Sequence, residues 1–244
     1  MTRPEEIGCL LIHGFTSSPT EMAGLAETLR GCGYRVDLPL LPGHATHPDE
    51  LLRVSYRDWI TTVEAALCVL QAESQQQIVI GLSMGSVLAL HLAANFDFAG
   101  VVALAPALKL PWWKEHGIRL ITPFNLTRRK RHGPDVNDDH GRAVLDSYLA
   151  YPLAATRRFF DLQREVRREL PRITMPLFVA HSSQDHTIPL RNVDYLLRRV
   201  RSTYIEKMLV HDSYHVLTVD RDREHIFARI LLFIAKIVAQ SDHR

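Results

Sequence analysis

Residues 78–94 read IVIGLSMGSVLALHLAA: a short β-branched run, then Gly-Leu-Ser-Met-Gly, then a run rich in leucine and alanine. The first run is typical of a buried strand and the last of a helix, so Ser83 falls at the turn between them. A nucleophilic serine needs such a turn, because the turn exposes its hydroxyl and small flanking residues avoid clashes there. The spacing of Gly81, Ser83 and Gly85 therefore predicts a nucleophile, and the alternative is a serine that caps the helix.

Strand-like and helix-like segments alternate on both sides of this turn. Strands are predicted at the apolar runs 8–12, 35–38, 78–81, 101–104, 177–180 and 206–210. Helices with an apolar face are predicted at residues 20–30, 55–73, 85–95 and 222–239. Apolar runs that do not alternate with polar residues indicate strands covered on both faces. The sequence therefore predicts an α/β fold with a mostly parallel, doubly wound sheet flanked by helices.

The stretch 106–170 interrupts this alternation, because it contains helical pieces and no convincing strand. Its aromatic side chains are Trp112, Trp113, Phe124, Tyr148, Tyr151, Phe159 and Phe160. An insertion of this length is predicted to form a small helical cap subdomain rather than a loop. Its basic run, 128–131, is interpreted as a solvated loop. No repeat or linker marks a second domain, so residues 1–244 are predicted to form one domain.

Composition excludes several classes of function. The chain is 46% hydrophobic and 23% charged with a formal net charge of +2, which gives no reason to expect a nucleic-acid partner or an anionic membrane. We find neither a signal peptide nor an apolar run long enough for stable membrane insertion, and expect a cytoplasmic protein. Cys9, Cys32 and Cys68 lack metal-ligand spacing and are expected to be reduced thiols. We expect no cofactor and no metal, and a monomer or homodimer.

A serine hydroxyl is a weak nucleophile unless a base takes its proton and an acid orients that base. Asp185 follows the strand at 177–180, and both His211 and His215 follow the strand at 206–210. The carboxyl ends of parallel strands are where an open sheet collects catalytic groups. Asp185 is favoured as the acid and His215 as the base. The alternatives are Asp194 in a helical pattern, Asp212 in a turn and His211 at the strand end.

Negative charge on the attacked carbonyl requires two backbone N–H donors. One candidate is the N–H of Met84, the residue after the nucleophile. The second is the N–H of Phe15, which follows the first strand in the sequence LLIHGFTSSP. Gly14 allows the chain to turn close to Ser83 at this point.

Together these residues resemble the α/β-hydrolase family, and within it the small bacterial carboxylesterases and monoacylglycerol lipases. The motifs that carry the resemblance are LLIHGFTSSPTEM (10–22), LPLLPGHATHPDEL (38–51), GLSMGS (81–86), QDHTIP (184–189) and SYHVLTVDRDRE (213–224). The resemblance implies an α/β-hydrolase fold with residues 106–170 as the cap over an acyl pocket. The site residues that it implies are the nucleophile Ser83, the acid Asp185, the base His215 and the oxyanion donors Phe15 and Met84.

The sequence departs from the family pattern at two positions. Ala45 stands where the group usually has glycine after the loop histidine, and Ser86 stands where a second glycine often follows the nucleophile turn. Neither change removes a catalytic atom. Both affect which subgroup the chain resembles and what forms the floor of the pocket.

The expected function is a serine hydrolase that cleaves carboxylic esters of short-to-medium apolar acyl chains, as a carboxylesterase or monoacylglycerol lipase acting on a small-molecule ester. The apolar and aromatic cap residues favour an apolar acyl group. A thioesterase, an acyltransferase, a peptidase or a ligand-binding module without turnover would share the same residues. Activity is expected to fall on the acid side with an apparent pKa of roughly 6–7, as His215 takes up a proton.

Overall fold

The computed structural model describes residues 3–110, 117–118, 126–130 and 133–241. The strands in this part of the chain are β1 (Ile7–Ile12), β2 (Arg35–Asp37), β3 (Gln76–Leu82), β4 (Gly100–Leu104), β5 (Thr127–Arg129), β6 (Ala150–Pro152), β7 (Leu177–Ser182) and β8 (Ile205–Val210). Six of them form one parallel sheet in the order β2-β1-β3-β4-β7-β8. All six predicted core strands are confirmed, with ends that differ by one or two residues.

Helices cover both faces of this sheet. Those in the described residues are α1 (Ala23–Gly31), α2 (Tyr56–Glu73), α3 (Met84–Asn95), α4 (Asp139–Ala143), α5 (Leu153–Glu169), α6 (Arg191–Leu197) and α7 (Arg223–Ser241). α1 and α7 pack into one apolar cluster with one face of the sheet, and α2, α3, α5 and α6 pack into a second cluster. Within β1, Leu10 belongs to one cluster and Cys9 to the other, as the two-residue period of a strand requires. The doubly wound α/β architecture is therefore confirmed.

The edges of the sheet depart from the prediction of strands buried on both faces. The central strands β1 and β4 are buried at every residue, whereas β8 alternates between partly buried and exposed residues before it ends at the buried Val210. Ile205 and Leu209, on this edge strand, are exposed. β2, at the other edge, is likewise only partly buried.

The insertion between β4 and β7 contains more than helices. β5 and β6 pair as an antiparallel ribbon in which Arg128 lies opposite Tyr151, so the expectation that this stretch has no strand is wrong. The strands are three residues long, and β5 is fully exposed, which leaves no apolar run to detect. Trp112, Trp113, Phe124 and Arg131 lie outside the described residues. The cap subdomain and the single-domain organisation remain predictions.

Candidate active site

The turn that carries Ser83 is a sharp junction between β3 and α3. Ser83 has φ 57° and ψ −112°, in the left-handed half of conformational space that costs a non-glycine residue free energy. Its N–H donates to the carbonyl of Leu104 in the neighbouring strand at 2.9 Å. The strained residue is therefore fixed by the sheet, and its side chain makes no capping hydrogen bond to the helix that starts at Met84.

The flanking glycines are required by backbone packing. A Cβ on Gly81 would lie 2.5 Å from the nitrogen of Ser86 and closer still to the Gly85 carbonyl. A Cβ on Gly85 would lie 2.6 Å from the carbonyl carbon of Ile12. The two glycines thus let α3 begin directly against β3 and β1, which explains their spacing around the serine.

The structure brings Ser83 together with the two side chains predicted to act with it. His215 Nε2 lies 2.8 Å from Ser83 Oγ, and His215 Nδ1 lies 2.7 Å from Asp185 Oδ2. Asp185 stands in the loop after β7 and His215 in the loop after β8, so strand ends supply all three. Only 8% of the His215 side chain and 1% of the Asp185 side chain is exposed. This geometry places an imidazole between a hydroxyl and a buried carboxylate, the arrangement that can move a proton off the hydroxyl.

The surrounding charges shift the pKa values of both His215 and Asp185. Burial by itself lowers the pKa of His215, but the carboxylates of Asp185, Asp135 and Glu21 outweigh it and raise that pKa above its ordinary value. Burial would raise the pKa of Asp185, yet the charge and hydrogen bond of His215 lower it below its usual range. Asp185 Oδ1 also accepts the N–H groups of Thr187 at 2.8 Å and Ile188 at 2.7 Å. These shifts stabilise Asp185 as a charged carboxylate and allow the neighbouring His215 to hold a proton.

The alternative acids and base lie elsewhere. Asp194 is 56% exposed and lies 3.7 Å from the ammonium of Lys207. Asp212 is exposed, and its N–H donates to Asp222. His211 is also exposed, with Nδ1 2.8 Å from the hydroxyl of Ser183. None of the three hydrogen bonds to Ser83.

The segment after β1 packs against the nucleophile. A Cβ on Gly14 would lie 3.3 Å from the Cβ of Ser83, so a larger residue would press on the serine. The Gly14 carbonyl lies 3.0 Å from His13 Nδ1 and accepts the N–H of Ser17 at 3.4 Å. Because a trans peptide directs its C=O and N–H in opposite directions, this fixes the orientation of the Phe15 N–H. The N–H of Met84 lies in the first turn of α3, where backbone donors lack intrahelical partners.

One buried carboxylate in this segment was not recognised from the sequence. Glu21 lies in a 3-10 helix, Pro19–Met22, accepts the N–H of Gly14 and lines the same cavity as Ser83. Burial raises the pKa of Glu21. The sequence offered only a glutamate at the start of a predicted helix, and no motif distinguishes it from a solvent-facing one.

The described residues of the basic run, Arg128, Arg129 and Lys130, all line the cavity that contains Ser83. Arg128 and Arg129 are exposed, but they lie in strand β5 and not in a loop. Lys130 is less exposed and donates to Ser147 Oγ at 2.7 Å, and burial lowers the pKa of Lys130 to about 8. The solvated-loop interpretation is therefore wrong for the described residues of the run: Arg128 and Arg129 are exposed but belong to a strand, and Lys130 is partly buried beside the cavity.

A cavity of about 750 Å³ lies over Ser83. Its apolar wall includes Phe15, whose ring stacks on Phe159 at 5.8 Å and meets Tyr151 edge-on at 5.5 Å. Ile188 and Val216 continue this wall. Two of the predicted cap aromatics, Tyr151 and Phe159, thus line the space beside the nucleophile. Phe160, by contrast, is fully buried in the packing of α5.

The two departures from the family pattern have structural counterparts. Ala45 has φ 53°, a left-handed conformation that glycine adopts without cost, so glycine at this position would relieve strain. The Ser86 hydroxyl is buried and contacts the carbonyls of Gly81 at 2.7 Å and Leu104 at 2.6 Å. Ser86 therefore joins the ends of β3 and β4 beneath the nucleophile turn.

Among the residues that the structure describes, one group could offer three metal ligands. His91, Glu165 and Glu169 bring one ligand atom each within 4.8 Å of one another, on α3 and α5. His91 Nδ1 already lies 2.7 Å from Glu169 Oε2, and Glu165 accepts the hydroxyl of Tyr56 at 2.7 Å. All three side chains of the group thus have protein partners, and Ser83, His215 and Asp185 are not part of the group.

No helix in the described ranges combines the length and apolar character needed to cross a bilayer.

Known proteins resemble this chain along nearly its whole length. A family model described as serine aminopeptidase, S33 matches residues 4–222. The thermostable monoacylglycerol lipase of Bacillus sp. (strain H-257) is 34% identical over 237 residues, covering 94% of this chain and 91% of that one. The carboxylesterase of Bacillus subtilis (strain 168) is 24% identical over 229 residues, covering 93% and 92%. A solved structure from work on LipS and LipT, two metagenome-derived lipolytic enzymes, superposes with a TM-score of 0.90 at 30% identity and covers 96% of both chains.

Proposed function

This chain belongs to the serine aminopeptidase S33 family of α/β-hydrolases, and on that premise we propose that it is a serine ester hydrolase that needs no cofactor. Ser83 is the nucleophile, His215 the general base and Asp185 the acid that orients it. The observation that carries this proposal is the continuous line of hydrogen bonds from Ser83 through His215 to Asp185, beneath a cavity.

The reaction proceeds through an acyl-enzyme. Ser83 Oγ attacks the ester carbonyl while His215 Nε2 takes its proton, and Asp185 stabilises the imidazolium through Nδ1. The N–H groups of Phe15 and Met84 donate to the oxygen that becomes negative. The alcohol leaves with the proton from His215, and water attacks the acyl-enzyme by the same route.

The preferred substrate is an ester of a short-to-medium apolar acid, with monoacylglycerols as the leading class. The apolar wall of Phe15, Tyr151 and Phe159 supports this choice of acyl group. Glu21, Lys130 and other polar groups also line the cavity, and they suit a small hydrophilic alcohol. The 34% identity to a thermostable monoacylglycerol lipase also supports this substrate class.

The proposal is tested by turnover and labelling together. We would assay p-nitrophenyl esters from acetate to palmitate, 1-monoacylglycerols, an acyl-CoA thioester and an amino-acid p-nitroanilide, and locate fluorophosphonate labelling by peptide mass. We expect a single label on Ser83, with rapid turnover of short-to-medium esters and of monoacylglycerol. A label with turnover of only the thioester or the anilide would show that the ester assignment is wrong. A label without any turnover would identify a binding module, and the absence of a label would refute the site.

The pH dependence follows from the state of His215. The protonated imidazole cannot accept the Ser83 proton, so kcat/KM should fall as pH decreases through the pKa of His215. Because its surroundings raise that pKa, half-maximal activity should lie above the ordinary histidine value of about 6.5. The measurement is kcat/KM for p-nitrophenyl butyrate across roughly pH 5–9, with circular dichroism as the control for folding. A constant rate between about pH 5 and 8 would contradict it.

A further inference from the structure

Asp135 belongs to the insertion between β4 and β7, yet it binds the loops of both Asp185 and His215. Its Oδ2 accepts the N–H of His186 at 3.1 Å and the hydroxyl of Thr187 at 2.9 Å, and its Oδ1 lies 2.9 Å from His186 Nδ1. Its main-chain carbonyl accepts the N–H groups of His215 at 3.0 Å and Val216 at 3.2 Å. A single residue thus joins the acid loop through its side chain and the base loop through its backbone.

These contacts fall next to the reacting groups. His186 and Thr187 are the two residues after Asp185, and His215 is itself held by its N–H. Both loops lie beyond the paired strands β7 and β8. The side chains of Ser182 and Gln184 donate to the carbonyls of Ser213 and His211, so these direct hydrogen bonds join the loops ahead of Asp185 and His215. Asp135 adds a bridge at the reacting groups themselves, because it contacts the residues directly after Asp185 and the main chain of His215, so the gap between Asp185 Oδ2 and His215 Nδ1 depends on it. A misplacement of about 1 Å at such a contact can cost roughly 100-fold in rate.

The charge of Asp135 also acts on the base. Its side chain is 19% exposed, and it lines the same cavity as His215. The charged groups that raise the pKa of His215 are the carboxylates of Asp185, Asp135 and Glu21. His181 stands behind Asp185 at 3.4 Å, and burial lowers the pKa of His181, which keeps its imidazole neutral. Removing the Asp135 charge should leave His215 protonated over a narrower range of pH.

We propose that Asp135 is a positioning residue, which holds the acid and base loops in register so that His215 lies between Asp185 and Ser83. This inference rests on the proposed function, because it assigns Asp135 a part in the same proton transfer. The proposal also gives the insertion a second role besides covering the cavity, because its residue Asp135 hydrogen bonds to both the acid loop and the base loop.

Two substitutions separate geometry from charge. Asp135→Ala removes all three side-chain contacts and should lower kcat by about 10- to 50-fold, with little change in KM. Asp135→Asn keeps an oxygen acceptor for the His186 N–H and should retain kcat within about fivefold. The midpoint of its acid limb should nevertheless fall by about half a pH unit, because one carboxylate charge is lost. The matched control is Asp139→Asn, in the same segment, whose side chain is 92% exposed.

The readouts are kcat and KM for p-nitrophenyl butyrate, the kcat/KM–pH profile, and circular dichroism. A purely structural role for Asp135 would lower stability without moving the acid limb. The proposal is overturned if Asp135→Ala stays within about twofold of wild-type kcat, or if the acid limb of Asp135→Asn matches wild type. If Asp135→Ala does not fold, the acid limb of Asp135→Asn decides alone. Ser83→Ala is run alongside: if it remains active, the proposed function fails, whereas its inactivity beside unaffected Asp135 variants refutes only this inference.

Discussion

Ester hydrolysis by the Ser83→Ala variant is expected to be slower than wild type by about 100,000-fold or more in kcat. The substitution removes the oxygen that attacks the ester and that lies 2.8 Å from His215 Nε2. Alanine keeps the Cβ of serine, so φ 57° at this position strains the variant no more than the native chain. The backbone N–H still donates to Leu104. We therefore expect a folded and inactive protein.

The matched control for this variant is Ser183→Ala. Ser183 is exposed, and its hydroxyl contacts His211, the histidine that competes with His215 as the base. It should keep kcat within about twofold of wild type and keep the fluorophosphonate label, whereas Ser83→Ala should lose both. More than about 1% residual kcat in Ser83→Ala, after purification away from host esterases, would mean that another group is the nucleophile.

The parts of the fold and site that sequence could predict are those encoded locally. A glycine-flanked serine after an apolar run marks its own turn, and the loops of Asp185 and His215 follow recognisable strands. The choice between His211 and His215 is not local, because it depends on how the loop folds back after β8. The structure places His215, and not His211, beside Ser83.

The remaining features depend on contacts between distant segments. Asp135 meets His186 across 51 positions of sequence, and nothing in its neighbourhood marks it as different from Asp138 or Asp139. Lys130 lines the cavity because β5 pairs with β6, and β5 is three exposed polar residues without strand periodicity. Sequence patterns indicate burial and local propensity. A polar residue whose role comes from contacts with a distant segment therefore cannot be recognised from the pattern around it.

The Gly85→Ala variant should be destabilised by about 4 kcal/mol or more, which is exceptional for the addition of one methyl group. The new Cβ would lie 2.6 Å from the carbonyl carbon of Ile12 and 2.7 Å from the carbonyl oxygen of His13, both backbone atoms that cannot rotate away. Relief would require α3 to separate from β1, and the cluster of buried residues on α3 opposes that movement. The displaced atoms directly precede Gly14 and Phe15, so any molecule that still folds should lose activity as well.

Urea unfolding measures this effect, and Gly31→Ala provides the control. Gly31 is the last residue of α1, and a Cβ there would meet no atom within 4 Å, so alanine should leave stability unchanged or raise it by up to about 1 kcal/mol. The free energies of unfolding are compared only if the variants have the same m-value, since an equal m-value shows that the same surface area is exposed on unfolding. A loss below about 1 kcal/mol in Gly85→Ala would mean that the backbone around Ile12 yields easily. In that case the glycine after Ser83 would not be required by packing, and the spacing around the serine would need a different explanation.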